Sequence, residues 1–222
     1  MEEHRVRILA VENVTHNVRH FTIERPANYE FVPGQATEVA VNKPGWENER
    51  RPFTFTGLTS SPHLEFTTKI YPERGGVTNE LGKLRAGDTL LIHDVWGAIS
   101  YKGEGVFIAG GAGVTPFIAI LKNLHNKGEL GNNKLIFSNK TAQDVILKNE
   151  FEKMLGKNFI RVITEENVPG IRNKRIDKDY LKEVIGNFDQ HFYVCGPEKF
   201  TEVICAYLEE LGAKPDALVF EK

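Results

Sequence analysis

Val106-Phe107-Ile108-Ala109-Gly110-Gly111-Ala112-Gly113-Val114-Thr115-Pro116-Phe117 decides the fold of the C-terminal half. Val106 to Ala109 carries no polar residue and reads as a strand buried on both faces. Pro116 to His125 reads as a helix. Between them, glycines let the backbone take positive φ and approach a neighbour closely. Thr115 is expected to cap the helix, and Pro116 is preorganised for its first position. The free N–H groups and the dipole of that helix end favour an anion such as a pyrophosphate. A tight turn with no ligand is the alternative at this point. The turn departs from the usual G-x-G-x-x-G fingerprint, because Pro116 stands where the third glycine belongs. The carboxylate expected about 20 residues on, to hold a ribose 2′-OH, is missing too.

Outward from this turn, apolar strands and helices alternate. Lys134–Phe137, Phe159–Thr164, His191–Cys195 and Ala217–Phe220 read as strands. Gln143–Leu155, Asp177–Ile185 and Pro197–Leu211 read as helices. This alternation predicts an α/β domain with a parallel sheet covered on both faces. Before Gly103 the pattern differs. Val6, Ile8 and Ala10 alternate with Arg5, Arg7 and Leu9, and His20–Glu24, Thr37–Val41, Arg51–Thr56, Leu64–Ile70 and Thr89–His93 are further short β-prone runs. Turn signals at Pro33-Gly34, Lys43-Pro44-Gly45, Ser60-Ser61-Pro62 and Gly87-Asp88 separate them. An antiparallel β-barrel or sandwich follows, with one short helix at Thr78–Leu84 capped by Thr78. The domains are therefore read as residues 1–102 and 103–222.

The 222 residues suffice for two domains of about 100 each. Lys and Arg total 28 against 30 Asp and Glu, a balance not built to coat nucleic acid or an anionic membrane. The N-terminus lacks the apolar stretch of a secretory signal, and Val106–Leu121 is too broken by glycine and proline to span a bilayer. A cytoplasmic protein is expected. Two cysteines, Cys195 and Cys205, cannot hold an iron–sulfur cluster by thiolates alone, which takes four. The seven histidines show no metal-ligand spacing, so no metal site is expected.

Six segments resemble, in order, the motifs of the ferredoxin–NADP reductase superfamily. Pro33-Gly34-Gln35 looks like its P-G-Q, and Arg51-Pro52-Phe53-Thr54 its R-x-[YF]-[ST] flavin motif. Lys69-Ile70-Tyr71 with Gly75-Gly76-Val77-Thr78 resembles its flavin-phosphate segment, and Leu84-Arg85-Ala86-Gly87-Asp88 its L-x-x-G-D. Gly111-Ala112-Gly113-Val114-Thr115-Pro116 and Cys195-Gly196-Pro197 resemble its G-x-G-[IV]-[TA]-P and C-G-P. The resemblance implies an N-terminal flavin barrel, a C-terminal NAD(P)-binding domain, and an active site at their interface, in the minimal two-domain form of flavodoxin or ferredoxin reductases. It implies FAD, with FMN less favoured, and NADPH or NADH as cofactors. A small electron carrier, flavodoxin or ferredoxin, would be the partner.

On this reading Arg51 forks to a phosphate, Phe53 lies against the flavin ring, and Thr54 bonds its N5–O4 edge. Lys69 adds charge, and Tyr71 either stacks on adenine or packs in a turn. Thr54, Cys195 and Thr115 stand at the reacting atoms, Cys195 as a positioning group and not a nucleophile. Ser138, Asn139 and Lys140 lie where a nucleotide ribose should rest. With no carboxylate expected there, and with Arg172, Lys174 and Arg175 forming a second basic cluster, NADPH is favoured over NADH. Trp96 is read as covering the flavin site or the domain interface, and Glu221 as a proton source near the ring. Other readings are a free-flavin reductase, the reductase component of an oxygenase, a non-catalytic electron-transfer subunit, and a nucleotide-binding module without flavin.

Overall fold

A computed structural model describes residues 2–97, 99–214 and 218–220. They divide into two compact units: residues up to Ser100 with Thr115–Asn123, and Tyr101–Val114 with the residues from Leu124 on.

The first unit is a ring of antiparallel strands: β1 (His4–Thr15), β2 (Val18–Glu24), β3 (Ala36–Val41), β4 (Arg51–Thr54), β5 (His63–Lys69) and β6 (Thr89–Trp96). They pair in the order β4-β3-β6-β1-β2-β5. A bridge between Phe55 and Phe66 joins the chain just past β4 to β5, so the sheet closes on itself. Closure removes the exposed edges that an open sheet would present. Alternation sends Ile8, Phe21, Ile23, Val39, Val41, Leu64, Phe66, Leu90 and Ile92 inward. Phe55 is the keystone. It is fully buried and lies between Phe31 at 4.4 Å and Phe66 at 5.2 Å, both stacked. β1 is longer than its alternation predicts because two register shifts, at Ile8/Ala10 and Asn13/Thr15, disturb the period of two.

The short helix, α1, spans Val77–Leu81, and its cap is Gly76, not the expected Thr78. Gly76 takes the extended conformation a cap requires (φ −95°, ψ −168°), and Thr78 is drawn inside the first turn.

The second unit holds β7 (Gly105–Gly110), α2 (Thr115–Lys127), β8 (Lys134–Asn139), α3 (Lys148–Leu155), β9 (Phe159–Ile163), α4 (Lys178–Val184), β10 (His191–Cys195), α5 (Glu198–Glu210) and β11 (Leu218–Phe220), although Thr115–Asn123 of α2 groups with the first. All five strands are parallel, in the order β11-β10-β7-β8-β9. The chain winds from β7 toward β9, then returns to lay β10 on the other side of β7. The order therefore reverses between β7 and β10, and ligands of such sheets bind at the carboxyl ends of the strands at that point.

Two helix expectations are corrected. Thr115 is the first residue of α2 and not its cap, because a 3-10 turn over Gly111–Val114 runs straight into the helix. The single helix expected at Gln143–Leu155 is split into a 3-10 turn at Ala142–Asp144 and α3. Val145 and Ile146 between them are buried, and Leu147 takes a left-handed conformation, φ 52°. β-branched Val and Ile are poor helix formers, and burying both interrupts the spiral. Asp177 caps α4 through a hydrogen bond from the Tyr180 amide at 2.8 Å.

Tyr193, central in β10, stacks on Phe107 at 4.3 Å and on Tyr101 at 5.9 Å. Its hydroxyl accepts from the amides of Lys102 (2.8 Å) and Gly103 (3.0 Å) and donates to the Gly103 carbonyl (2.7 Å). One phenol thus fixes the segment leading into β7, and burial raises its pKa. Tyr193→Phe keeps the stack and strands those backbone groups. We expect a loss of about 1–3 kcal/mol, read as a fall of several degrees in Tm. An unchanged Tm would show that the clamp carries no stability.

Candidate functional site

In the second unit the predicted nucleotide residues converge on the reversal point. A Cβ at Gly113 would lie 2.4 Å from the Cys195 carbonyl oxygen and 2.5 Å from the Gly196 nitrogen. No side chain fits there, so the glycine turn after β7 and the Cys-Gly-Pro turn after β10 touch through backbone alone. Gly196 and Gly110 both rest on the Phe200 ring, where added Cβ atoms would stand 2.6 Å and 3.1 Å away. Gly111 has φ +54° with open space beyond it. The result is a shelf of peptide groups over Gly111–Gly113 and Cys195–Gly196, with open space beyond Gly111.

Cys195 is buried, Pro197 stands at the cap position of α5, and the Val114 side chain belongs to the core. What Val114 brings to the turn is backbone. The other cysteine, Cys205, has its thiol pushed up to about 11, first by burial and then by Glu209, and stays protonated at neutral pH.

Ser138 pairs with Gly110 across β8 and β7. Asn139, next along, is 5% exposed, and neither atom of its side-chain amide has a hydrogen-bond partner. A buried amide left unmatched is costly, and a ligand reaching this edge would relieve it. Lys140 corrects the expectation that no carboxylate faces this turn. β9 continues past its end, with the Thr164 amide on the Asn139 carbonyl (2.9 Å) and the Glu165 amide on the Lys140 carbonyl (2.8 Å). This sets the Glu165 carboxylate 3.0 Å from the Lys140 ammonium. Glu166 accepts the Ala142 amide at 2.7 Å. Arg172 is tied to Asp177 at 2.6 Å and covers Tyr180 at 4.2 Å. The basic side chains Lys140 and Arg172 are thus already paired with carboxylates.

In the first unit Arg51 and Pro52 are exposed, and Phe53 and Thr54 half-buried. Arg51 donates to the Arg50 carbonyl at 2.6 Å and stands 3.8 Å from Glu49, leaving most of its fork on the surface. Phe53 packs on the barrel core from its rim, with its ring 6.4 Å from Phe66. Tyr71 lies between two cations, Lys69 at 5.9 Å and Arg74 at 4.4 Å. Gly75 is left-handed, φ +58°, and neither Gly75 nor Gly76 has an atom within 4 Å of where a Cβ would stand. The Ile70 and Val77 side chains point into the barrel core, so these two bring backbone to the segment. Thr78 follows inside α1.

Sequence reasoning missed Arg74 and Glu165. Arg74 was hidden in a 3-10 turn whose geometry only the structure shows. Glu165 was legible in principle, since residues just past adjacent parallel strands share one sheet edge. Trp96 ends β6 at 43% exposure, paired with Ala36. The Phe220 side chain and Glu221 lie outside the described residues. Among the described residues, no helix is long and apolar enough to cross a membrane.

Comparison with known proteins finds two families, one on each half of the chain. The oxidoreductase FAD-binding domain family matches residues 5–101, and the oxidoreductase NAD-binding domain family residues 107–206. The chain is 27% identical to the reductase component of propane 2-monooxygenase from Rhodococcus jostii over its whole length, and spans 64% of that protein. It is 29% identical, over 87% of its length, to NADH-cytochrome b5 reductase 2-A of Vanderwaltozyma polyspora, of which 71% is covered. Among solved structures, a ferredoxin NADP+ reductase from Neisseria gonorrhoeae with bound FAD and NADP superposes with a TM-score of 0.87 at 21% identity, covering 100% of this chain and 98% of that one. The CS-b5R domains of human Ncb5or in the NAD+ form also superpose with a TM-score of 0.87, at 26% identity over all of this chain and 70% of that one. The two matched families, in this order and on this fold, place the chain in the ferredoxin–NADP reductase superfamily, as an FAD-binding barrel followed by an NAD-binding α/β domain.

Proposed function

We propose that this chain oxidises NADH through a bound FAD and passes the electrons on to a separate carrier protein. The observation that carries the reading is the backbone shelf at Gly111–Gly113 and Cys195–Gly196, built at the reversal point of a sheet whose partner domain is an FAD-binding barrel. Bound together, the two cofactors would supply hydride transfer, with the protein holding and orienting them.

The chain's own residues bind and orient. The Gly111–Gly113 peptides and the start of α2 offer N–H groups and a positive dipole end to a pyrophosphate. Gly113 lets the Cys195 turn come within backbone contact, so the two turns can share one side of a flat ring. In the barrel, Arg51 is a fork for phosphate, Phe53 an apolar face, and Thr54 a hydroxyl for the ring edge. Tyr71 and Arg74 form a stacked, cationic platform suited to an adenine and the neighbouring phosphates. FMN has no adenine, so this platform favours FAD.

The nucleotide preference follows from Glu165. A ribose 2′-OH donates to a carboxylate, whereas a 2′-phosphate would meet Glu165 and Glu166 with like charge. Each such pair costs about 1 kcal/mol at 4 Å in water. Lys140, already paired, offsets only part of this.

The acceptor is a one-electron carrier such as flavodoxin or ferredoxin. The two cysteines of these 222 residues are too few to hold a thiolate-bound cluster, which supports an acceptor outside this stretch of chain. Likeness to an oxygenase reductase component favours a second reading, in which the acceptor is an oxygenase.

Two outcomes test this. Turnover with an artificial one-electron acceptor should show kcat/KM for NADH at least about tenfold above NADPH, and Glu165→Gln should narrow that gap severalfold. Equal use of both nucleotides by the wild type would overturn the assignment of Glu165. Arg51→Ala should weaken FAD binding by about ten- to a hundredfold, the worth of a hydrogen bond to a charged group, measured by flavin fluorescence titration. Undiminished affinity would remove Arg51 from the site.

A further inference from the structure

A row of polar side chains crosses the outside of the barrel and ends beside Thr54. The bridge between Phe55 and Phe66, with the Thr56 amide on the Glu65 carbonyl at 2.8 Å, sets the register between the chain past β4 and β5. In that register Thr54 stands opposite Thr67, on one face. Thr67 in turn pairs with His20 on β2, and His20 with Glu12 on β1. The contacts are made along this row. The Thr56 and Thr67 hydroxyls lie 3.0 Å apart. Thr67 Oγ1 is 3.1 Å from His20 Nδ1. His20 Nε2 is 3.6 Å from the Glu65 carboxylate. Thr56 is fully buried and Thr67 4% exposed, while the His20 and Glu65 side chains keep 18% and 25% of their surface. A chain of exchangeable protons thus runs from the solvent boundary to the buried hydroxyls next to Thr54.

The protons can be counted. In neutral His20 with Nε2–H toward Glu65, Nδ1 accepts from the Thr67 hydroxyl, and Thr67 oxygen accepts from Thr56. Both hydroxyl protons are then spent in the direction of His20. When His20 takes a proton from solvent, Nδ1–H donates to Thr67 instead, and the Thr67–Thr56 pair has one donor to spare. Burial makes this difference count, because a hydrogen bond is stronger where water is excluded. The charged or titratable groups sharing this face are Glu24 on β2 itself, Glu12 from β1, and His63, Glu65 and Lys69 from β5.

We propose that His20 is a positioning residue for the flavin: its protonation reverses the Thr67–Thr56 hydrogen bonds and adds a donor beside the ring edge that Thr54 faces. This rests on the assignment of Thr54 to that edge. A donor added there favours the more electron-rich, reduced cofactor. The reduction potential should therefore respond to His20 as pH falls through the range where imidazoles titrate, between about pH 5 and 8.

The experiment is the midpoint potential of the FAD-loaded protein against pH, beside the His20 titration read by NMR in the same protein. The wild type should show a change of slope at the pH where His20 titrates. His20→Gln and Thr67→Val should each abolish it while retaining FAD, and Thr67→Ser, which keeps the hydroxyl, should restore it. A wild type without the inflection, or one that survives in both His20→Gln and Thr67→Val, overturns the proposal and leaves the flavin reading intact. Should His20→Gln fail to load FAD, the Thr67→Val and Thr67→Ser pair decides alone. A wild-type chain that takes up no FAD overturns both together.

Discussion

The functional half of this molecule depends on one close approach, that of Gly113 to the peptide joining Cys195 and Gly196. A methyl group at Gly113 would sit only 2.4 Å from the carbonyl oxygen of Cys195, far inside van der Waals contact. Two turns from strands far apart in sequence can share one shelf only because residue 113 has no side chain. The parallel sheet supplies the other requirement. β7 and β10 are hydrogen-bonded neighbours, Cys195 beside Ala109, so their carboxyl ends arrive level. Everything assigned to nucleotide binding follows from that level edge: the 3-10 turn, the start of α2, Ser138 opposite Gly110, and Lys140 with Glu165.

The barrel meets a different constraint. Its flavin segment must be both wall and surface. Phe55 belongs to the wall, stacked between two other rings, and without it the closure between β4 and β5 would have no core beneath it. Phe53, two residues earlier, lies on the rim, where one ring can cover core and still present an edge to a ligand. The same alternation turns Thr54 and Thr56 to the other face, where Thr67 and His20 meet them. The barrel thus carries its apolar side chains inside and a row of hydroxyl and imidazole groups outside.

Much of this was legible in the sequence. Alternation told the antiparallel sheet from the parallel one, and the glycine turn and the Cys-Gly-Pro turn stand out as motifs. What could not be read had physical causes. The two helix caps were misplaced because local propensity favours threonine, whereas a 3-10 turn and an extended glycine served instead at Thr115 and Thr78. Helix α3 was overextended because Val145 and Ile146 continue an apolar pattern that burial, not periodicity, explains. Glu165 and His20 escaped because each acts across strands: one through the continuation of β9 beside β8, the other through the closure of the barrel. Pairing of that kind is a property of register, and no window along the chain contains it.

The measurement that reaches the centre of this account is anaerobic reduction of the FAD-loaded protein by NADH, followed at the flavin's visible band, in the wild type and in Gly113→Ala. Both should be yellow, since Gly113 lies in the nucleotide domain and not in the barrel. The wild type should bleach promptly, and the variant at least about a hundredfold more slowly, as a misplacement of the order of 1 Å costs. A variant that holds its flavin and bleaches at the wild-type rate would contradict the claim that this backbone approach builds the nicotinamide site.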